Sequence, residues 1–383
     1  MLRRIAVASD SFKGSLTSLE VAHSVEKAVH DVLPACEVVM VGVADGGEGT
    51  MEALLQTLGG KRVTCAVADP LGRIIDASYV VLNDGITAVV EMASASGLTL
   101  LRPDERNPLR TSTYGTGQLI LDALDRGCRK FLVGIGGSAT NDAGMGMLAA
   151  LGYRFIAASG AVQEPSGQAL GGVCHIDGSR VHPALAEAEF IVACDVKAPL
   201  FGPEGAACVF APQKGADQQA VEVLNEGLRH FSEVVAAVMG RDCSYTPGAG
   251  AAGGLGYAFM QFLNAGLESG VETVLDAVGF DTLIKNSDLV ITGEGCIDSQ
   301  TLTGKAPYGV AQHAGRLGIP VLAIGGAVKI DKAQAAESGF MDVLQVTPDE
   351  MPLSVAMRKD VAADNVYKNM AKFLHSYTKS LNL

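Results

Sequence analysis

One pattern recurs along the chain and limits what it can fold into. A short apolar, β-branched run ends in Gly, Asp or Ser, and a helical pattern then opens. Such runs occupy residues 5–8, 38–43, 131–133, 190–192, 289–291 and 321–324. Near-continuous apolar strands alternating with helices predict parallel sheets covered on both faces. The helices are marked by their ends. Thr17 and Glu20 form a capping box ahead of Val21, Val25, Ala28 and Val29. Gly59 follows a second apolar face as a left-handed cap, a third face stops at Gly127, and Pro307 sits near the start of a helix that runs until Gly318.

Between residues 61 and 91 the pattern changes. Three strand-like runs are separated by Pro70-Leu71-Gly72 and Asn83-Asp84-Gly85, which is the chemistry of antiparallel hairpins. A length of 383 residues exceeds one ordinary core. The expected architecture is therefore α/β, with a doubly wound parallel-sheet domain built from both chain ends (1–60 plus 281–383). A second, mixed α/β domain (61–280) is inserted between them.

Composition removes several function classes. A net charge of −13 argues against an electrostatic binder of nucleic acid or anionic membranes. No stretch reaches the ~20 apolar residues of a membrane span, and the first apolar run ends at Ser9, well short of a signal h-region. Eight widely spaced cysteines without a C-x-x-C pair read as reduced thiols of a cytoplasmic protein. The seven histidines show no zinc-ligand spacing.

In open parallel sheets ligands bind beyond the carboxyl ends of the strands, and the polar motifs fall there. Asp10, Ser11 and Lys13 follow the first run, where Lys13 offers a point charge to a carboxylate or phosphate. Asp45-Gly46-Gly47-Glu48 places two carboxylates around glycines that admit a ligand to the backbone, a donor type suited to Mg²⁺. Gly134 to Asp142 reads as a Gly-rich turn ahead of a small-residue helix. Gly136 and Gly137 supply bare N–H groups there, and Ser138 and Thr140 supply hydroxyls, for phosphate or carboxylate. Asp195, ending another run, is placed to accept a proton from an attacking hydroxyl. Glu294, Asp298 and Lys305 surround Gly-rich turns and suit Mg²⁺ and phosphates. Each of these residues also has an ordinary use as a cap, a turn or a loop ion pair.

Two familiar nucleotide motifs fail. Gly248 to Gly253 matches G-x-G-x-x-G but follows no convincing strand and lacks the later acidic residue. Gly304-Lys305 is followed by Ala306, so there is no Walker A loop. A dehydrogenase reading falls with the first of these.

Taken together, the segments resemble the bacterial glycerate kinase family, type I, over essentially the whole chain. Asp10 to Leu16 is similar to its D-S-F-K-x-S-L signature, Ala44 to Thr50 to A-D-G-G-E-G-T, and Gly134 to Asp142 to G-x-G-G-S-A-T-x-D. Glu91 to Leu98, Asn107-Pro108-Leu109, Gly205 to Gly215, Gly248 to Gly256 and Leu289 to Lys305 also fit. The sequence departs at Ala198, where the family commonly has Asn.

The resemblance implies a flavodoxin-like domain plus a second α/β domain, and ATP-dependent phosphorylation of D-glycerate with Mg²⁺, usually to 2-phosphoglycerate and ADP. On that basis Asp195 is the expected proton acceptor, with Asp45 as second choice, and Lys13 neutralises an anion. Asp10, Ser11, Gly46, Gly47, Gly136, Gly137, Ser138, Thr140 and Lys305 are expected around substrate or phosphate, and Glu48, Glu294 and Asp298 around the metal. The expected partners are small molecules, with no nucleic acid or membrane, and the oligomeric state is open, a homo-oligomer included. The alternatives are a kinase for another small hydroxy acid and a non-catalytic two-domain solute-binding protein. The latter normally carries an export signal, and none is evident.

Overall fold

The computed structural model describes residues 2–381. Its strands, in chain order, are β1 (Arg4–Ser9), β2 (Glu37–Met40), β3 (Gly60–Ala68), β4 (Ile74–Leu82), β5 (Thr87–Glu91), β6 (Lys130–Gly134), β7 (Arg154–Ala157), β8 (Val173–Asp177), β9 (Glu189–Ala193), β10 (Gly266–Glu268), β11 (Leu289–Ile297), β12 (Val321–Val328) and β13 (Asp342–Gln345). The chain divides into two compact units. The first holds the residues up to Asp45, Glu52–Leu58 and the chain from Val271 onward; the second holds Gly46–Met51 and Gly59–Gly270.

The first unit carries a five-stranded sheet in the order β13-β12-β11-β1-β2, parallel at every pairing. Ranked by sequence within the unit this is the 2-1-3-4-5 order of a flavodoxin-like doubly wound sheet. Consecutive strands move outward on opposite sides of β1, so a crevice opens between the carboxyl ends of β1 and β11. The capping box forms as expected: Thr17 Oγ1 accepts from Glu20 N at 3.3 Å, and Glu20 accepts from Thr17 N at 3.0 Å. It starts the helix Ser18–Val32, whose buried face of Val21, Val25, Ala28 and Val29 joins Ile5, Val7, Leu289, Ile291, Leu322 and Ile324 in one core. The helix Lys359–Leu381 adds Val366, Met370 and Leu374 to it. Each such side chain contributes about 1.5–3 kcal/mol on burial.

A Gly-rich turn was expected directly after residue 291, but β11 continues through Gly293, Glu294 and Gly295 to Ile297. Likewise β12 runs on through Gly325 and Gly326. These glycines are wanted for close strand approach. A Cβ on Gly326 would stand 2.7 Å from the Gly295 carbonyl oxygen, and one on Gly293 would strike that of Ile324.

In the same unit His313 is buried between two carboxylates, Nε2 at 3.0 Å from Glu272 and Nδ1 at 2.7 Å from Asp281. Burial works against the imidazolium, but the two carboxylates outweigh it and raise the His313 pKa above 6.5. A base whose folded pKa is raised stabilises the fold fully below its unfolded pKa, and that contribution is lost as pH rises through the folded pKa. The stability advantage of the native protein over His313→Gln should therefore be greatest below about pH 6.5 and fade above it. Urea midpoints measured between pH 5.5 and 8.5 check this; a pH-independent difference contradicts it.

The second unit holds a six-stranded mixed sheet, β10-β9-β6-β5-β4-β3, and the small antiparallel pair β7-β8. The strands β3, β4 and β5 are antiparallel through the two expected turns, and β5, β6, β9 and β10 are parallel. At the first turn Asp69 Oδ1 accepts from Leu71 N and Arg73 N; at the second, Asp84 Oδ1 accepts from Ile86 N and Thr87 N. The core includes fully buried Tyr79, Phe131, Phe155, Phe231 and Phe259, with Phe131 stacked on Phe190 at 4.7 Å. Among the described residues no helix is long and apolar enough to cross a membrane, and all eight cysteines are free thiols.

Candidate functional site

The expected site residues fall into two sets, one in each unit. In the first unit β1 pairs with β11 up to Ser9 and Gly293, so the chain after Ser9 emerges at the crevice between them. Asp10 is held there by its own N–H to the Gly293 carbonyl at 2.9 Å, and its carboxylate accepts from Ser11 N at 2.6 Å. Burial pushes the Asp10 carboxyl up to about 6, and the charges of Asp45 and, to a smaller extent, Glu294 add to the rise. Lys13 Nζ lies 3.5 Å from Asp45, and that carboxylate keeps the exposed ammonium firmly charged. Glu294, facing the rim from β11, takes Lys305 Nζ at 3.3 Å and the Thr301 hydroxyl. Thr301 Oγ1 also accepts from Asp298 N at 2.9 Å, and Asp298 Oδ1 caps Gln300 N. The loop between β11 and the next helix is thus folded onto Glu294.

Lys13, Glu294, Asp298 and Lys305 of this set border a cavity of about 730 Å³ beyond the carboxyl ends of β1, β11, β12 and β13. Ser11, Lys13, Glu294, Asp298 and Lys305 line its polar part; Phe12, Val328, Val346, Met351, Leu353 and Met357 line an apolar part. Among the described residues no three His, Cys, Asp or Glu side chains are grouped to hold a metal unaided.

In the second unit β6 and β9 end side by side, Gly134 opposite Ala193. The segment Gly46-Gly47 lies against these ends, and Gly46 has no room for a side chain. Gly46 has φ +80°, and a Cβ on it would stand 2.6 Å from Ala193 Cβ and 2.8 Å from Gly270 Cα. Glu91, at the end of β5, fixes the segment's continuation by accepting from Gly49 N at 3.1 Å and Met51 N at 2.8 Å. Burial raises its pKa against those bonds, with the charge of exposed Glu48 adding to the rise.

The loop after β6 is the expected Gly-rich turn, and the small-residue helix after it begins at Met145, so Gly136, Gly137 and Ser138 stand several residues ahead of that helix. That loop is pinned to the segment after β5 by Leu98 N to Gly137 O at 2.8 Å and Ala139 N to Ser96 O at 2.9 Å. Ser138 sits at the edge of exposure, whereas Thr140 is fully buried with its hydroxyl unpartnered. Asp195 follows β9 on the same rim, exposed, with Oδ1 accepting from Gly270 N at 3.1 Å.

Sequence reasoning missed the charges that hold this loop. Asp142, fully buried, accepts from Thr113 N (2.8 Å), Thr113 Oγ1 (2.9 Å), Gly144 N (3.2 Å) and Gly146 N (3.1 Å). Burial still raises its pKa despite these bonds. Lys214, also buried, donates to Ser138 Oγ at 2.6 Å and to the Thr140 carbonyl at 2.7 Å. Burial pushes its ammonium down to about 7, opposed by the charge of Asp142. The signal available was a lone lysine in the otherwise uncharged run Ala211-Pro212-Gln213-Lys214-Gly215. The rejected G-x-G-x-x-G stretch also has a role here. Gly253 and Gly254, both left-handed, let the backbone press against Thr140 to Ala143, where a Cβ on Gly254 would stand 2.8 Å from Ala143 Cα.

A flavodoxin-like sheet with acids and lysines at its crevice, in a chain whose other unit carries a Gly–Ser loop after a parallel strand, has the build of an α/β phosphotransferase. The model of the glycerate kinase family matches residues 5–377. A glycerate kinase of Halalkalibacterium halodurans is 43% identical over 99% of this chain and 100% of its own length. The glycerate 2-kinase of Escherichia coli is 43% identical over 95% of both chains. A solved Salmonella typhimurium structure carrying the name glycerate kinase 2 superposes with a TM-score of 0.91 at 39% identity, covering all of both chains. The chain belongs to the glycerate kinase family.

Proposed function

We propose that the protein transfers the γ-phosphoryl group of ATP, supplied as its Mg²⁺ complex, to the C2 hydroxyl of D-glycerate, giving 2-phosphoglycerate and ADP in the cytoplasm. The observation that carries this reading is the near full-length likeness to the E. coli protein, whose name specifies both acceptor and position.

The geometry supports an assignment of the two substrates. A cavity of about 730 Å³ lies within the ~300–1,000 Å³ of pockets that enclose drug-sized ligands, the class of a nucleotide and far above a three-carbon acid. Its apolar part suits a base, and Lys13 and Lys305 suit phosphates. The crowding of Asp10, Asp45 and Glu294, felt in the raised Asp10 pKa, suits a divalent ion. Mg²⁺ needs only one or two carboxylates beside the nucleotide's oxygens, and Asp45 and Glu294 would provide them. The rim of the second unit, with Gly137, Ser138 and Asp195, is assigned to the hydroxy acid.

In the transfer the glycerate oxygen forms the new O–P bond while the β–γ bridging bond breaks, and ADP carries away that electron pair. Asp195 accepts the hydroxyl proton, and the protein otherwise positions groups and neutralises charge. If Lys13 binds phosphate equally in ground and transition states, Lys13→Ala should raise the KM for ATP roughly tenfold with little change in kcat. Steady-state kinetics with ATP varied test this; an unchanged KM removes Lys13 from the site. ADP release with glycerate, hydroxypyruvate, tartronate and no acceptor tests the reading as a whole.

A further inference from the structure

Lys214 has no part in the transfer as described, yet it is one of the most deeply buried charges in the molecule, at 2% exposure. Placing an ammonium there is costly unless it is paired or hydrogen-bonded. Its bonds go to the Ser138 hydroxyl oxygen at 2.6 Å and to the Thr140 carbonyl at 2.7 Å. Below its pKa of about 7 Lys214 is an ammonium that only donates, so Ser138 Oγ then acts as acceptor toward it, and the hydroxyl proton of Ser138 is left to be given elsewhere. Among the described residues no acceptor takes that proton. Ser138 is at 9% exposure, at the point where the loop meets solvent. A hydroxyl that accepts from a cation is polarised and is a stronger donor than an ordinary serine.

A second observation bears on the same loop. Next to these groups Thr140 Oγ1 and both side-chain polar atoms of Asn141 are fully buried without partners. Each unmade bond of this kind costs about 1–3 kcal/mol. The loop is held from behind by Lys214 and Asp142.

We infer that Lys214 is a positioning residue for substrate recognition, acting through Ser138 so that the serine proton is donated to the carboxylate of the hydroxy acid. The ammonium thereby contributes its field at the rim without reaching it. This rests on the second unit's rim taking the acid. A phosphoryl oxygen of ATP offers the same chemistry, and varying the two substrates separately distinguishes the sources.

The test is a double-variant cycle. Ser138→Ala and Lys214→Met should each raise the KM for glycerate roughly ten- to a hundredfold, with the KM for ATP unchanged within about twofold. The combined variant should be no worse than the weaker single one, because both remove one donated proton. Ser138→Thr, which restores the hydroxyl, should recover most of the KM for glycerate, whereas a merely structural defect is not rescued by it. Losses that multiply in the double variant, a change confined to the KM for ATP, or no recovery in Ser138→Thr overturn the inference. Should Lys214→Met fail to fold, the comparison of Ser138→Ala with Ser138→Thr decides alone. Native protein assayed with ATP and glycerate is the control for the underlying reading. If it turns over while the variants fail to discriminate, only this inference falls.

Discussion

Asp195→Asn is expected to lower kcat by about 100- to 10,000-fold, the span associated with loss of a general base. The exchange keeps the size and the contact with Gly270 N, which orients the group at 3.1 Å, but it removes the charge that accepts a proton. Glycerate binding is assigned to other groups on the same rim, so its KM should move by no more than a few fold. Rapid-mix measurements of ADP formation, with both substrates saturating, separate the chemical step from release. A kcat within about threefold of the native value would remove Asp195 from proton transfer and leave Asp45 as the next candidate.

The largest effect on stability is expected from Asp142. Its carboxylate accepts four hydrogen bonds in a fully buried place and faces the field of buried Lys214. Replacing it with Ala leaves those donors without acceptors and the lysine without its counter-charge. Each buried donor left without its acceptor typically costs about 1–3 kcal/mol, so Asp142→Ala should lose at least about 3 kcal/mol. Asp142→Asn should rescue it only in part, because the amide oxygen can take the place of Oδ2 but the NH2 group then faces the Gly144 N–H. Equilibrium urea denaturation measures this directly. A loss below about 1 kcal/mol would show that the loop repacks without the acid.

Much of the fold was legible because the features involved are local. The apolar runs that became β1, β6, β9, β11 and β12 are buried on both faces, so their period needed no tertiary knowledge. The capping box at Thr17 and the turns at Gly72 and Gly85 depend on residues within a few positions of one another. What was not legible depends on partners distant in sequence. Gly293 to Gly295 read as a turn because glycines usually make one, and only the approach of β12 explains why they stay in a strand. Gly136 to Ser138 read correctly as a turn, but the contacts with Ser96 and Leu98 that fix its shape lie some forty positions away.

The site shows the same division. Asp10 and Asp45 follow apolar runs, so their place in loops beyond the sheet was readable, whereas Glu294 lies within β11 and Lys305 starts the next helix, and only the fold brings those two together. Lys214 and Asp142 were not readable, since a buried charge looks like any surface charge until its surroundings are known. Ser138 and its lysine are 76 positions apart, a pairing that no spacing rule anticipates.

The most direct test of the central claim is a combined phosphorus and proton NMR analysis of glycerate incubated with the protein, ATP and Mg²⁺. The account predicts ADP and one new phosphomonoester whose phosphorus couples to the single C2 proton. Untouched glycerate, or a phosphorus coupled instead to the C3 methylene pair, would contradict it.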